Sequence, residues 1–172
     1  MAANVFTGAI SVNSNVAGNW SLLAVPLTGD GNVATWNATS PNCTINAAFA
    51  CNGADFTGYT GTLTRTSTFA CNGNLTLIAA LLTAGAGTLT MNGTGTITTN
   101  GYTWGNGFLF AGTSATYTFA DPCNISGLTT FSYTTTMTLN GSATNKLIMS
   151  GGLTVSASTG MTLGTADLNI TG

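Results

Sequence analysis

Phe49-Ala50-Cys51-Asn52-Gly53 recurs as Phe69-Ala70-Cys71-Asn72-Gly73, and each copy runs on into alternating Thr and apolar residues. Steps of twenty to twenty-two residues from Phe69 then land on Leu89, Phe110, Phe131 and Leu153. A second register runs Phe56, Leu77, Ile97, Phe119, Leu139 and Met161 at the same interval. Such a return of large apolar residues marks a stack of coils, in which no single repeat buries its apolar face until its neighbours sit on it.

The local pattern says what the coils are made of. Thr60-Gly61-Thr62-Leu63-Thr64, Thr94-Gly95-Thr96-Ile97-Thr98 and Thr134-Thr135-Thr136-Met137-Thr138-Leu139 alternate with period two and are rich in β-branched residues, the signature of strands. Asn92-Gly93, Asn100-Gly101, Asn106-Gly107 and Asn140-Gly141 supply sharp turns between them. Asn-Gly is also a hairpin signal, so an antiparallel barrel or sandwich competes. Hairpin meanders predict turn signals without a higher period, whereas here the apolar registers repeat at about twenty-one residues, the length of one rung of three short strands. The expected fold is all-β: a right-handed parallel β-helix, or solenoid, of six to seven short rungs. Residues 1–41 differ from the rest. They hold Trp20, Trp36, Pro26, Pro41 and the turn Gly29-Asp30-Gly31-Asn32 with little Thr alternation, and are expected to form an N-terminal cap and first turn. Residues 42–172 are expected to form one continuous helix domain.

Charge narrows function. Only Arg65 and Lys146 are basic, only Asp30, Asp55, Asp121 and Asp167 are acidic, and His, Glu and Gln are absent. Charged residues make up 3%, against roughly 25% in ordinary soluble domains. Nucleic acid and anionic membrane surfaces are therefore poor partners, since both need several Lys or Arg. The longest apolar run, Leu77 to Leu82, is far too short to span a bilayer as a helix. Met1-Ala2-Ala3-Asn4-Val5-Phe6-Thr7 lacks a basic flank and apolar core, so synthesis and assembly in a cytoplasm is expected.

Site chemistry is equally sparse. Glycoside cleavage on a β-helix needs paired carboxylates or an acid–base constellation, and the only close acid and base are Asp55 and Arg65, expected as a surface ion pair or a turn-stabilising Asp. Asp121-Pro122 reads as a turn, and Lys146 beside Asn145 as another. No catalytic residue, cofactor or metal site is expected: Cys43, Cys51, Cys71 and Cys123 are not spaced as CxxC pairs and have no His beside them. Cys51 and Cys71 occupy equivalent places in successive repeats, where parallel side chains are poorly oriented for a disulfide, so free, stacked, buried thiols are expected. Two contact surfaces remain. Tyr59, Tyr102 and Trp104, near Asn-rich turns, are candidates for contact with a neutral glycan or a partner. Leu168 and Ile170, in the strand-like segment Ala166 to Gly172, are candidates for end-on stacking.

Asn19-Trp20-Ser21, Val25-Pro26, Thr39-Ser40-Pro41-Asn42-Cys43-Thr44 and Asp55-Phe56-Thr57-Gly58-Tyr59-Thr60-Gly61-Thr62-Leu63-Thr64 resemble the opening of phage and metagenomic proteins with pectin-lyase-like parallel β-helices. Thr99-Asn100-Gly101-Tyr102-Thr103-Trp104 and Leu128-Thr129-Thr130-Phe131 fit the same pattern. The resemblance implies a virion surface component of the tail-spike, tail-fibre or capsid-decoration type. The chain is shorter than the enzymatic spikes and lacks their acidic groove, so a non-catalytic bacteriophage structural protein is the leading expectation. Its expected partners are copies of itself, as a homotrimer or end-on stack, and other virion proteins such as a major capsid protein. The alternatives kept open are a self-stacking filament or adhesin, a neutral-glycan-binding module and an ice-binding surface of Thr rows.

Overall fold

The computed structural model describes residues 2–142, 144–156 and 160–171, and of Leu82 the backbone. The chain is a parallel β-helix: all the paired strands run parallel, stacked as a solenoid of about six turns. Strands of three or four residues dominate, as Thr-x-Thr segments broken by Gly and Asn require.

Three faces enclose the core. Phe49–Cys51, Phe69–Cys71, Leu89–Met91, the first part of Phe108–Phe119, the first part of Thr129–Asn140 and Leu153–Val155 stack as the first face. Ala3–Val5, Val33–Thr35, Gly53–Asp55, Leu75–Thr76, Gly95–Thr98, the later parts of the two 12-residue strands and Met161–Leu163 form the second. The third is divided. Cys43–Ile45, Thr62–Arg65 and Leu82–Ala84 make one sheet, and Thr103–Trp104, Cys123–Ile125, Leu147–Met149 and Leu168–Ile170 make another.

Alternation puts every second residue of these strands inside. Phe49 pairs with Phe69, and Phe69 with Leu89, as the twenty-residue spacing predicts. Beyond Leu89 the expected ladder slips by two. Leu89 pairs with Phe108 rather than Phe110, Phe110 with Phe131, and Leu153 with Thr129 rather than Phe131. In the second register Ile97 pairs with Phe119, but Met161 pairs with Met137 rather than Leu139. A slip of two keeps every side chain on its own side of the sheet, so the interior composition is unaffected. The cause is uneven rung length, from 19 residues between Leu89 and Phe108 to 24 between Thr129 and Leu153.

Residues 1–41 are more than a cap. Ala3–Val5 and Val33–Thr35 belong to the second face, 30 residues apart where Val33 and Gly53 are 20 apart. The excess is an excursion that folds over the end of the core. Its hub is buried Asn19, whose Oδ1 accepts from the N–H groups of Ile10 (2.8 Å) and Ser11 (2.9 Å) while Nδ2 donates to Asn13 O (2.7 Å) and Ser11 Oγ (2.9 Å). That anchor sets Trp20 nearly parallel to Phe49, ring centroids 5.7 Å apart, and Trp36 stacks on Phe56 at 4.5 Å. The two indoles thus cover the ends of the aromatic ladders and remain core residues themselves.

Candidate functional site

Each residue singled out by sequence has a definite place in the helix. Tyr59 is 2% exposed, and its hydroxyl reaches the carbonyls of Pro41 and Thr62 at 3.0 and 3.1 Å. Trp104 is also 2% exposed and donates Nε1–H to Gly107 O at 3.2 Å. Tyr102 is half-buried, packs edge-on against Trp104, and shares a 2.7 Å hydrogen bond with Thr83 Oγ1. The expectation that Tyr59 and Trp104 meet a glycan or partner is therefore corrected: their ring faces are spent inside the molecule. An aromatic in a Thr- and Asn-rich segment is drawn to the core because few other residues there bring comparable apolar area.

The acids build turns. Asp55 Oδ1 accepts from the N–H and hydroxyl of Thr57, and the Asp121 carboxylate accepts from the N–H groups of Thr99 and Asn100, one rung earlier. Asp30 accepts from Asn32 N–H at 2.7 Å and Leu27 N–H at 3.0 Å. Partial desolvation pushes the Asp30 carboxyl up, but these hydrogen bonds outweigh it and hold its pKa below the ordinary value. Lys146 lies just after a turn in which Ser142 N–H donates to Asn145 O.

Arg65 overturns the surface ion pair. It is fully buried, 0% exposed, on the inward side of the third face between Ile45 and the turn at Gly85. Its guanidinium lies 4.3 Å from the Trp104 ring centroid and donates to Gly87 O, while Nε has no partner among the described residues. Gly85 lets the next turn close against the Arg65 backbone: φ there is +81°, and a Cβ would lie 2.1 Å from the Arg65 carbonyl oxygen. The arginine fills the interior where the third face changes from one sheet to the next. Burial pulls its pKa down.

The four cysteines are free and buried. Burial pushes the Cys43 and Cys123 thiols up to about 12. The hydrogen bond that the Cys51 thiol donates to Cys71, together with burial, holds Cys51 well above its ordinary value, and the same bond pulls Cys71 below it. Cys43, Cys51 and Cys123 are thus protonated packing groups, unsuited to nucleophilic attack.

A different arrangement is open to solvent. Val155 pairs with Phe131, Leu163 with Leu139 and Ile170 with Met149, so each continues a core ladder, one on every face. Yet they are 53%, 47% and 52% exposed, because no described strand packs on their outer side. Leu168 pairs with Leu147 and is half-buried beside them. The sequence pointed to Leu168 and Ile170. It missed Val155 and Leu163, whose signal was membership of the same apolar registers. The opposite end shows a scattered set, with Ile10, Leu23 and Leu27 each 60% or more exposed.

The fold and these surfaces define a β-solenoid whose polar side chains mainly brace its own turns. Comparison with family models, with curated proteins and with solved structures finds no match.

Proposed function

We propose that the protein is a structural component of a bacteriophage virion surface, a capsid-decoration or fibre module that works by packing rather than by catalysis. The observation that carries this reading is the exposed rung of Val155, Leu163 and Ile170, where three core ladders meet water together. The open face of a stacked rung is normally covered by a neighbour. The resemblance of residues 19–64 to phage β-helices supplies the biological setting, and the near absence of charge leaves the sides of the helix free to lie against neutral neighbours. Its partners are copies of itself and other particle proteins such as a major capsid protein.

Light scattering over a wide concentration range tests the reading, with Ile170→Lys as the comparison. A discrete trimer that dissociates on introducing the lysine supports closed assembly on a particle. A mass that stays monomeric and unchanged by Ile170→Lys, together with no binding to capsid shells, overturns it. A second reading, end-on stacking into a filament or adhesin, is favoured by apolar side chains at both ends of the helix. It predicts a mass that grows without limit, since head-to-tail contacts without closure make fibres.

A further inference from the structure

We propose that a groove on the second face, over Gly53, is a binding site for a neutral saccharide. It is a void of about 300 Å³, the lower end of the range for small-ligand sites. Its origin is a missing side chain. Val33, Gly53 and Asn74 occupy successive positions of one outward row, and the glycine leaves a notch between its two neighbours. Backbone floors the notch, the methyls of Val33 wall one side, and Asn52, Asp55, Asn74 and Thr76 line the remainder.

These polar groups are half-committed in a consistent way. Asp55 Oδ1 is held by Thr57, leaving Oδ2 without a partner among the described residues. Asn52 Oδ1 accepts from Gly29 N–H at 3.0 Å, and Asn74 Oδ1 from Thr96 N–H at 2.9 Å. Each amide is thereby oriented by its oxygen, with Nδ2 as its uncommitted end. One free carboxylate oxygen, two amide donors and the Thr76 hydroxyl form a set that accepts from and donates to adjacent hydroxyls, with an apolar wall for a C–H face. That is the recognition chemistry of a pyranose. A phosphate or sulfate sugar is disfavoured, since the lining residues include a carboxylate side chain and no Lys or Arg to pair with an anion. Those hydrogen bonds orient Asn52, Asp55 and Asn74 before a ligand arrives, which lowers the ordering cost of binding.

The site is separate from the assembly rung, so its test is separate too. Saturation-transfer NMR on the full chain uses a panel of methyl glycosides of glucose, galactose, mannose and N-acetylglucosamine as probes, with amide shifts of Gly53, Ala54 and Asn74 as the map. Saturation transfer to one or more glycosides is expected, with shifts confined to those amides. Asp55→Asn keeps one oxygen to accept from Thr57 and turns the free oxygen into an amide NH2, and is expected to weaken binding about tenfold, the loss of one charge-assisted hydrogen bond. Gly53→Ala partly fills the floor, its Cβ 3.3 Å from Asn74 O and 3.5 Å from Val33 Cγ2, and is expected to weaken it as well. No transfer to any glycoside overturns the proposal, as does binding that both variants leave unchanged while their amide spectra remain folded. Oligomeric mass is expected to be the same in wild type and Asp55→Asn, whichever result is found.

Discussion

Arg65 is a cation in an interior that offers it an indole face and a carbonyl but, among the described residues, no carboxylate. Desolvating a charge costs several kcal/mol, and the contacts it makes offset that only in part. Arg65→Met, which keeps the length and removes the charge, is expected to leave the urea midpoint unchanged or raise it, by up to about 4 kcal/mol in stability. Arg65→Ala removes the bulk as well and is expected to cost about 2–4 kcal/mol through the void it leaves. Lower midpoints for both would show that the guanidinium itself holds the junction together. The thiols give a second expectation. The folded pKa values of Cys43 and Cys123 lie above the ordinary value of 9.0, so their stabilising protonation is complete below that pH and is lost as pH rises toward about 12. At pH 10 each such thiol costs about 1.4 kcal/mol relative to neutral pH. Melting curves at pH 7 and 10 should show this, and Cys43→Ala with Cys123→Ala should flatten the difference.

At the scale of strands and turns, the Asn-Gly pairs work by close approach. Asn72 N–H donates to Cys51 O and Asn92 N–H to Cys71 O, both at 2.9 Å, stacking one corner on the next. A Cβ on Gly73 would lie 2.2 Å from Asn52 O, and one on Gly93 equally close to Asn72 O. Gly73→Ala and Gly93→Ala are each expected to destabilise by about 1–3 kcal/mol. Gly105→Ala, where a Cβ meets nothing within 4 Å, is expected to be neutral or slightly stabilising in the same denaturation series. The turns were legible in sequence because Asn-Gly repeats at the rung interval. Two things were not. The slips by two arise from rungs that vary between 19 and 24 residues, which apolar periodicity alone cannot resolve. The inward direction of Arg65 was hidden because charge argues for solvent, whereas strand parity beside Leu63 argues for the core, and parity prevails. Tyr59 and Trp104 were misplaced by the same weighting of polar context over alternation.

For the molecule as a whole, stability is the sum of contacts between adjacent rungs, so it falls toward whichever end lacks a neighbour. The two ends differ. Stacked Trp20 and Trp36 close one, while Val155, Leu163 and Ile170 leave the other half in water. Hydrogen exchange is expected to be fastest in Leu153–Val155, Met161–Leu163 and Leu168–Ile170, and slowest around Leu89–Met91 and Gly95–Thr98, with assembly slowing the first group selectively. Equal protection along the axis in the monomer would contradict additive rungs.

The division of the third face has a mechanical consequence. The backbone hydrogen bonds between rungs point along the helix axis, so tension applied between the two ends pulls on them lengthwise and opens rungs one after another. Each released rung of about 20 residues lengthens the chain by ~70 Å. Between Leu82–Ala84 and Thr103–Trp104 the third face carries no ladder, and the rungs there are joined by two faces instead of three. Under load the helix should part first at its uncovered end and next at the level of Arg65. The helix would then unzip as two springs in series, joined at a seam that two ladders hold instead of three.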